Sequence, residues 1–282
     1  MSAVGSQAEH SQFAGTAATR GDVASSGLLL DAHVHVHPAF DCDRLLTSAA
    51  MNFAAIECPS ALRVLALTES ANDDWFGSLS ATAPAGAWRL EHLGPLTARF
   101  AHARLGALHV LAGHQIVCAE GVEVLTLGMG DKLSDGQPAR EVIEAALAAA
   151  ALPVLPWGFG KWIGARGRVV ETLLDAFGPR LALGDNGGRL RWTKPADLLI
   201  RGRAAGHALL PGSDPLPWSG EEDTVARRGI WIDGEFAPES LTEDLHQALA
   251  SGNRQREFGA GESTLRFCRN QLVMQWRKRV GS

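Results

Sequence analysis

Short apolar runs that end in polar residues, alternating with stretches of helical periodicity, constrain this chain more than any other feature. "LLLDAHVHVH" (28–37), "LRVLALTES" (62–70), "LGALHVLAGHQIV" (105–117), "GVEVLTLG" (121–128), "LPVLPWGFG" (152–160), "RLALGDNGG" (180–188) and "HALLPGSD" (207–214) read as buried strands. Between them, "CDRLLTSAAMNFAAI" (42–56), "AREVIEAALAAAA" (139–151), "GRVVETLLDAFG" (167–178) and "PADLLIRGRAAG" (195–206) carry apolar residues at helical spacing. Strand and helix in alternation is the pattern of βα units around a parallel sheet. The chain has 282 residues, and one α/β barrel takes roughly 250. The expected fold is therefore α/β, a distorted (β/α) barrel over 28–235. An Ala/Ser/Gly-rich leader (1–27), too poor in large apolar groups to offset ordering entropy, is expected to be disordered. Residues 236–282 are expected to form a helical extension. There Leu265, Cys268, Leu272 and Trp276 make an apolar stripe that would pack on the barrel.

The first strand carries the most unusual chemistry. In strict alternation Leu28, Leu30, Ala32, Val34 and Val36 share one face, while Asp31, His33, His35 and His37 share the other. Three of the chain's ten histidines fall within five residues. Neutral imidazole is the commonest side-chain metal ligand, so two rings two residues apart suit a single ion. The other candidate residues, Gln115, Lys161, Asp185, Asn186 and Asp214, also fall near strand ends, where βα barrels build their active sites.

"DAHVHVH" resembles the opening D-x-H-x-H strand of the PHP (polymerase and histidinol phosphatase) family of metal-dependent phosphoesterases. The order of later segments is similar too. "LAGHQIVCAEGVEVLTLG" resembles the family's G-x-E strand and the histidine-bearing strand after it, "LPVLPWGFG" its His-Pro strand end, "RLALGDNGG" a strand ending in Asn, and "LPGSDPLP" the closing G-S-D-x-H. The wider amidohydrolase superfamily, which shares the first H-x-H and a final strand-end Asp, is the near alternative. Carried over by position, His33, His35 and Asp214 keep metal ligands. Gln115 stands where the family has Glu, Leu125 where it has His, Pro156 or Trp157 replaces the His of His-Pro, and Leu216 replaces the last His. The resemblance thus implies a reduced, mononuclear site of His33, His35 and Asp214.

The reading that follows is a metal-dependent hydrolase, phosphoesterase-like by resemblance, with one divalent transition metal. Two imidazoles and a carboxylate suit zinc, manganese and iron alike. Asp214 is ligand or general base, His37 a third imidazole or an acid, and Lys161 a holder for an anionic substrate group. Asp31 would orient an imidazole, and Gln115, Trp157, Asp185 and Asn186 would line the pocket or support the ligands. The alternative is a catalytically silent relative without metal, binding a ligand or protein through strand-end tryptophans such as Trp157, Trp162, Trp192 and Trp218. "GFGKWIG" (158–164) lacks the P-loop spacing and has Trp162 where Ser or Thr is needed. The net charge of −5 gives no pull toward nucleic acid, and no run is long enough to span a membrane. Four scattered cysteines with no C-x-x-C pair suit a reducing, cytoplasmic setting. A small-molecule substrate is the expected partner.

Overall fold

The computed structural model describes residues 25–79, 86–186 and 188–280. Most of the leader falls outside these residues. Ser25–Gly27 already belong to the first strand, β1 (Ser25–Val34).

Twelve strands among the described residues form two open, mixed sheets. The larger uses β1, β2 (Leu62–Leu67), β3 (Arg89–Leu93), β4 (Thr97–His102), β5 (Gly106–Leu111), β11 (Gly229–Phe236) and β12 (Gln255–Phe258), in the order β12-β11-β1-β2-β5-β4-β3. The smaller contains β6 (Gly113–Val117), β7 (Glu123–Leu127), β8 (Leu152–Trp157), β9 (Ala182–Asn186) and β10 (Leu209–Gly212), in the order β10-β9-β8-β7-β6. The helices are α1 (Cys42–Ala54), a single turn α2 (Trp75–Ser78), α3 (Ala139–Ala148), α4 (Ala165–Phe177), α5 (Asp197–Ala204), α6 (Leu241–Ala250) and α7 (Thr264–Val280).

The expected barrel does not close. Its edge partner for β1 would be β10, but β11 takes that edge in an antiparallel ladder with Leu28 opposite Ile232 and Leu30 opposite Ile230. β10 meets β1 only at its end, where the Asp214 amide donates to the His33 carbonyl at 2.8 Å. The other seam is equally brief: Glu69 and His114 form an isolated bridge, and the Gln115 amide donates to the Glu69 carbonyl. The run 105–117 bends at Ala112, so its first half joins the large sheet and its second half the small one. Antiparallel β3, β4, β11 and β12 interrupt the parallel pattern.

β1 is buried on both sides, which modifies the alternation expected of it. Leu28 and Leu30 pack into the cluster between the sheets with Val64, Val154 and Leu210. Leu29 packs on the other face with Leu46 and Phe53 of α1. All three leucines are fully buried, each stabilising by about 1.5–3 kcal/mol. Pairing with β2 shifts register between Asp31 and Val34, and the strand ends there. His35 and His37 therefore lie in the irregular segment beyond it, where the chain is free to turn both rings toward the seam.

Three members of the C-terminal stripe do not dock as expected, and the side chain of the fourth, Trp276, lies outside the described residues. Leu265 and Leu272 are 84% and 71% exposed, and Cys268 is exposed. α7 is held through the opposite side: Arg266 and Arg269 both reach the buried Glu221, and Phe267 packs edge-on against Phe159. No described helix is long and apolar enough to cross a membrane.

Candidate metal centre

The seam between β1 and β10 gathers the three residues expected to hold metal. His33 Nε2 and His35 Nε2 are 3.1 Å apart, and Asp214 Oδ1 lies 3.5 Å from the first and 3.7 Å from the second. Both histidines are buried. A tetrahedral zinc with ligands at about 2.0–2.2 Å separates its donors by about 3.3–3.6 Å, so this triangle has the size of one face of a coordination shell. The donor chemistry agrees, with two imidazoles and one carboxylate and no competing cation among them.

Local structure fixes each member. β10 approaches β1 so closely that a Cβ at position 212 would lie 2.4 Å from His33 Cβ, and Gly212 removes that obstacle. Asp214 follows with φ +48°, a left-handed conformation that Asp tolerates better than most residues. The hydrogen bond from its amide to the His33 carbonyl holds it there. Asn186, at the end of β9, donates from Nδ2 to Asp214 Oδ2 at 2.6 Å, which leaves Oδ1 facing the imidazoles.

Electrostatics keep the donors in ligand form. Burial, followed by the neighbouring His33 ring, pushes the His35 pKa down to about 3, so its lone pair is available at neutral pH. Burial alone would raise the Asp214 pKa, but His33, His35 and Lys161 outweigh it and hold the carboxyl below its ordinary value. His35 Nδ1 is buried without a hydrogen-bond partner. The ring is set instead by stacking on His37, with centroids 5.3 Å apart and planes 21° from parallel.

The other expected site residues divide. His37 Nε2 sits 3.1 Å from the Pro215 carbonyl, so it carries the proton there and belongs to the rim rather than to the donor triangle. Lys161 pairs with Glu123 at 2.5 Å, across the ends of β8 and β7. Asp31 orients no imidazole: it accepts from the backbone amides of His33 (3.2 Å), Ser213 (2.8 Å) and Ala226 (2.7 Å). Burial raises its pKa to about 6 despite those bonds. Asp185 is absorbed by Arg189 and Arg228. Gln115 lies on edge strand β6 opposite Leu125, and Trp157 packs with the cluster containing Leu155 and Val170. Of the other tryptophans, Trp162 joins that same cluster, whereas Trp192 is exposed and donates to Thr264 Oγ1.

No protein-family model matches the chain, and no curated protein matches it. Among solved structures, the fold is similar to that of PsfC from Pseudomonas syringae PB-5123. The TM-score is 0.54 at 12% identity, over 90% of this chain and 99% of that one. A two-domain protein containing a predicted PHP-like metal-dependent phosphoesterase, from Bacteroides vulgatus ATCC 8482, matches with TM-score 0.45 at 14% identity, over 86% of this chain and 70% of that one. At these identities the likeness concerns the fold alone.

Proposed function

We propose that this protein is a mononuclear metal-dependent hydrolase of phosphoesters, with His33, His35 and Asp214 as its metal ligands. The observation that supports the metal is the convergence of three donor atoms, two of them on buried histidines, within 3.7 Å of one another. A nitrogen-to-nitrogen hydrogen bond would account for the two histidines but not for the carboxylate oxygen facing both. The phosphoester rests on the resemblance of "DAHVHVH" and "LPGSD" to the PHP family.

A divalent ion bound there supplies Lewis-acid polarisation and an acidified water. The chain's own groups orient and charge the site. Asn186 holds Asp214 with one oxygen toward the imidazoles. His37, its Nε2 proton engaged by Pro215, keeps Nδ1 as a base or, once protonated, as an acid toward a leaving group. Lys161 adds positive potential at the mouth, moderated by Glu123. A small anionic substrate fits this arrangement.

The test is hydrolysis of simple phosphomonoesters and diesters by the full chain supplied with manganese or zinc. Turnover that requires metal and falls at least 100-fold in Asp214→Asn supports the reading. Turnover indifferent to metal, or to Asp214→Asn, contradicts it. So does metal uptake with no hydrolysis of any phosphoester.

A further inference from the structure

Ser213, the chain neighbour of Asp214, belongs to the wall of a second site of opposite character. A cavity of about 350 Å³ is walled by Arg191, Ser213, Arg227, Arg228, Glu262 and Arg266, with none of the three proposed ligands in its wall. It is formed where the loop after β10, the segment before β11 and the start of α7 come together.

The guanidiniums are unevenly neutralised. Arg228 is buried and shares Asp185 with Arg189, so one carboxylate serves two cations. Arg266 pairs with Glu221, as does Arg269. Arg191 and Arg227 are exposed, and among the described residues neither side chain makes a hydrogen bond or ion pair. The cavity therefore carries a positive surplus on groups that fork onto oxyanions.

The same wall includes Ser213, close to the buried Asp31 carboxylate, and Glu262, whose Oε1 lies 3.1 Å from Arg266 Nε. Ser213 Oγ and Glu262 Oε2 are shielded from solvent, so the arginines are the groups the cavity offers to a ligand.

We propose that this cavity binds a phosphate group, whose oxygens are held by Arg191, Arg227, Arg228 and Arg266. The site is independent of the metal reading. It is joined to the cluster through the backbone from Ser213 to Asp214, and through Asp31, which accepts the Ser213 and Ala226 amides.

Titration calorimetry of the full chain with inorganic phosphate at about pH 7.5 tests this. Saturable phosphate binding is expected in the wild type and, undiminished, in His33→Ala/His35→Ala. It should weaken at least tenfold in Arg191→Ala/Arg227→Ala, whose side chains make no hydrogen bond or ion pair among the described residues. Three results would overturn the proposal: no saturable phosphate binding, binding lost with the histidines, or binding unchanged without the two arginines.

Discussion

The β1–β10 seam and the arginine-lined cavity meet in the chain at Ser213 and Asp214 and present opposite chemistry. On the seam side two imidazole nitrogens and a carboxylate oxygen converge. On the cavity side the groups are mostly donors, from four arginines and a serine. Each side would be unstable with the other's occupant. Asp31 ties the two regions together: it is buried and accepts the amides of His33 at the seam and of Ser213 and Ala226 at the cavity wall. Burial lifts its pKa to about 6.

The largest effect should come from breaking that tie. Asp31→Ala strands three backbone amides and is expected to cost about 3–5 kcal/mol, read by denaturant unfolding. A loss below about 1 kcal/mol would mean that the amides find other partners and that Asp31 is not what holds β1 against β10.

A smaller change sharpens the seam alone. Asn186→Ala frees Asp214 Oδ2 and should lower metal affinity about 10–100-fold while leaving phosphate binding in the cavity unaltered. An equal loss on both sides would show that the two sites are not independent of one another.

A further effect is a pH slope in the metal-free protein. His35, at about 3 in the fold against 6.5 when unfolded, stays neutral while the unfolded chain takes a proton. Its contribution is therefore present above pH 6.5 and lost as pH falls from there toward 3. Asp31 has the opposite sign. Its pKa is raised from 3.8 to about 6, so its contribution is full below 3.8 and lost as pH rises through 6. Removing the imidazole with His35→Ala should thus hurt least, or help most, near pH 4, and the wild type should gain on the variant as pH rises to 6.5. Parallel stability curves would contradict the depressed His35 value.

The sequence made some of this legible and not the rest, for physical reasons. His33, His35 and Asp214 stand out because ligand chemistry coincides with apolar strand patterning, and "GDN" puts Asn186 at a strand end beside them. Asp31 and Asp185 did not reveal their partners. These lie at Ser213 and Ala226 for one and at Arg228 for the other, far along the chain, and only sheet pairing brings them in. The arginine pair in "TVARRG" carried no signal, since basic residues before a strand are ordinary. The buried parallel strands and α1, α3, α4 and α5 were readable from periodicity. β3 and β12 were not, because as edge strands they are largely exposed and lack an apolar face. Missing them, and β11 beside β1, produced the expectation of a closed barrel. The outward stripe on α7 shows the reverse error: periodic apolar residues were present, but buried arginine–glutamate pairing decided which side faces the protein.

The most direct test of the central claim is metal stoichiometry of the untagged full chain, by elemental analysis after exposure to manganese or zinc and removal of excess. The account predicts about one equivalent in the wild type and none retained by His33→Ala/His35→Ala. Failure of the wild type to take up metal, or stoichiometric metal in the double variant, would contradict it.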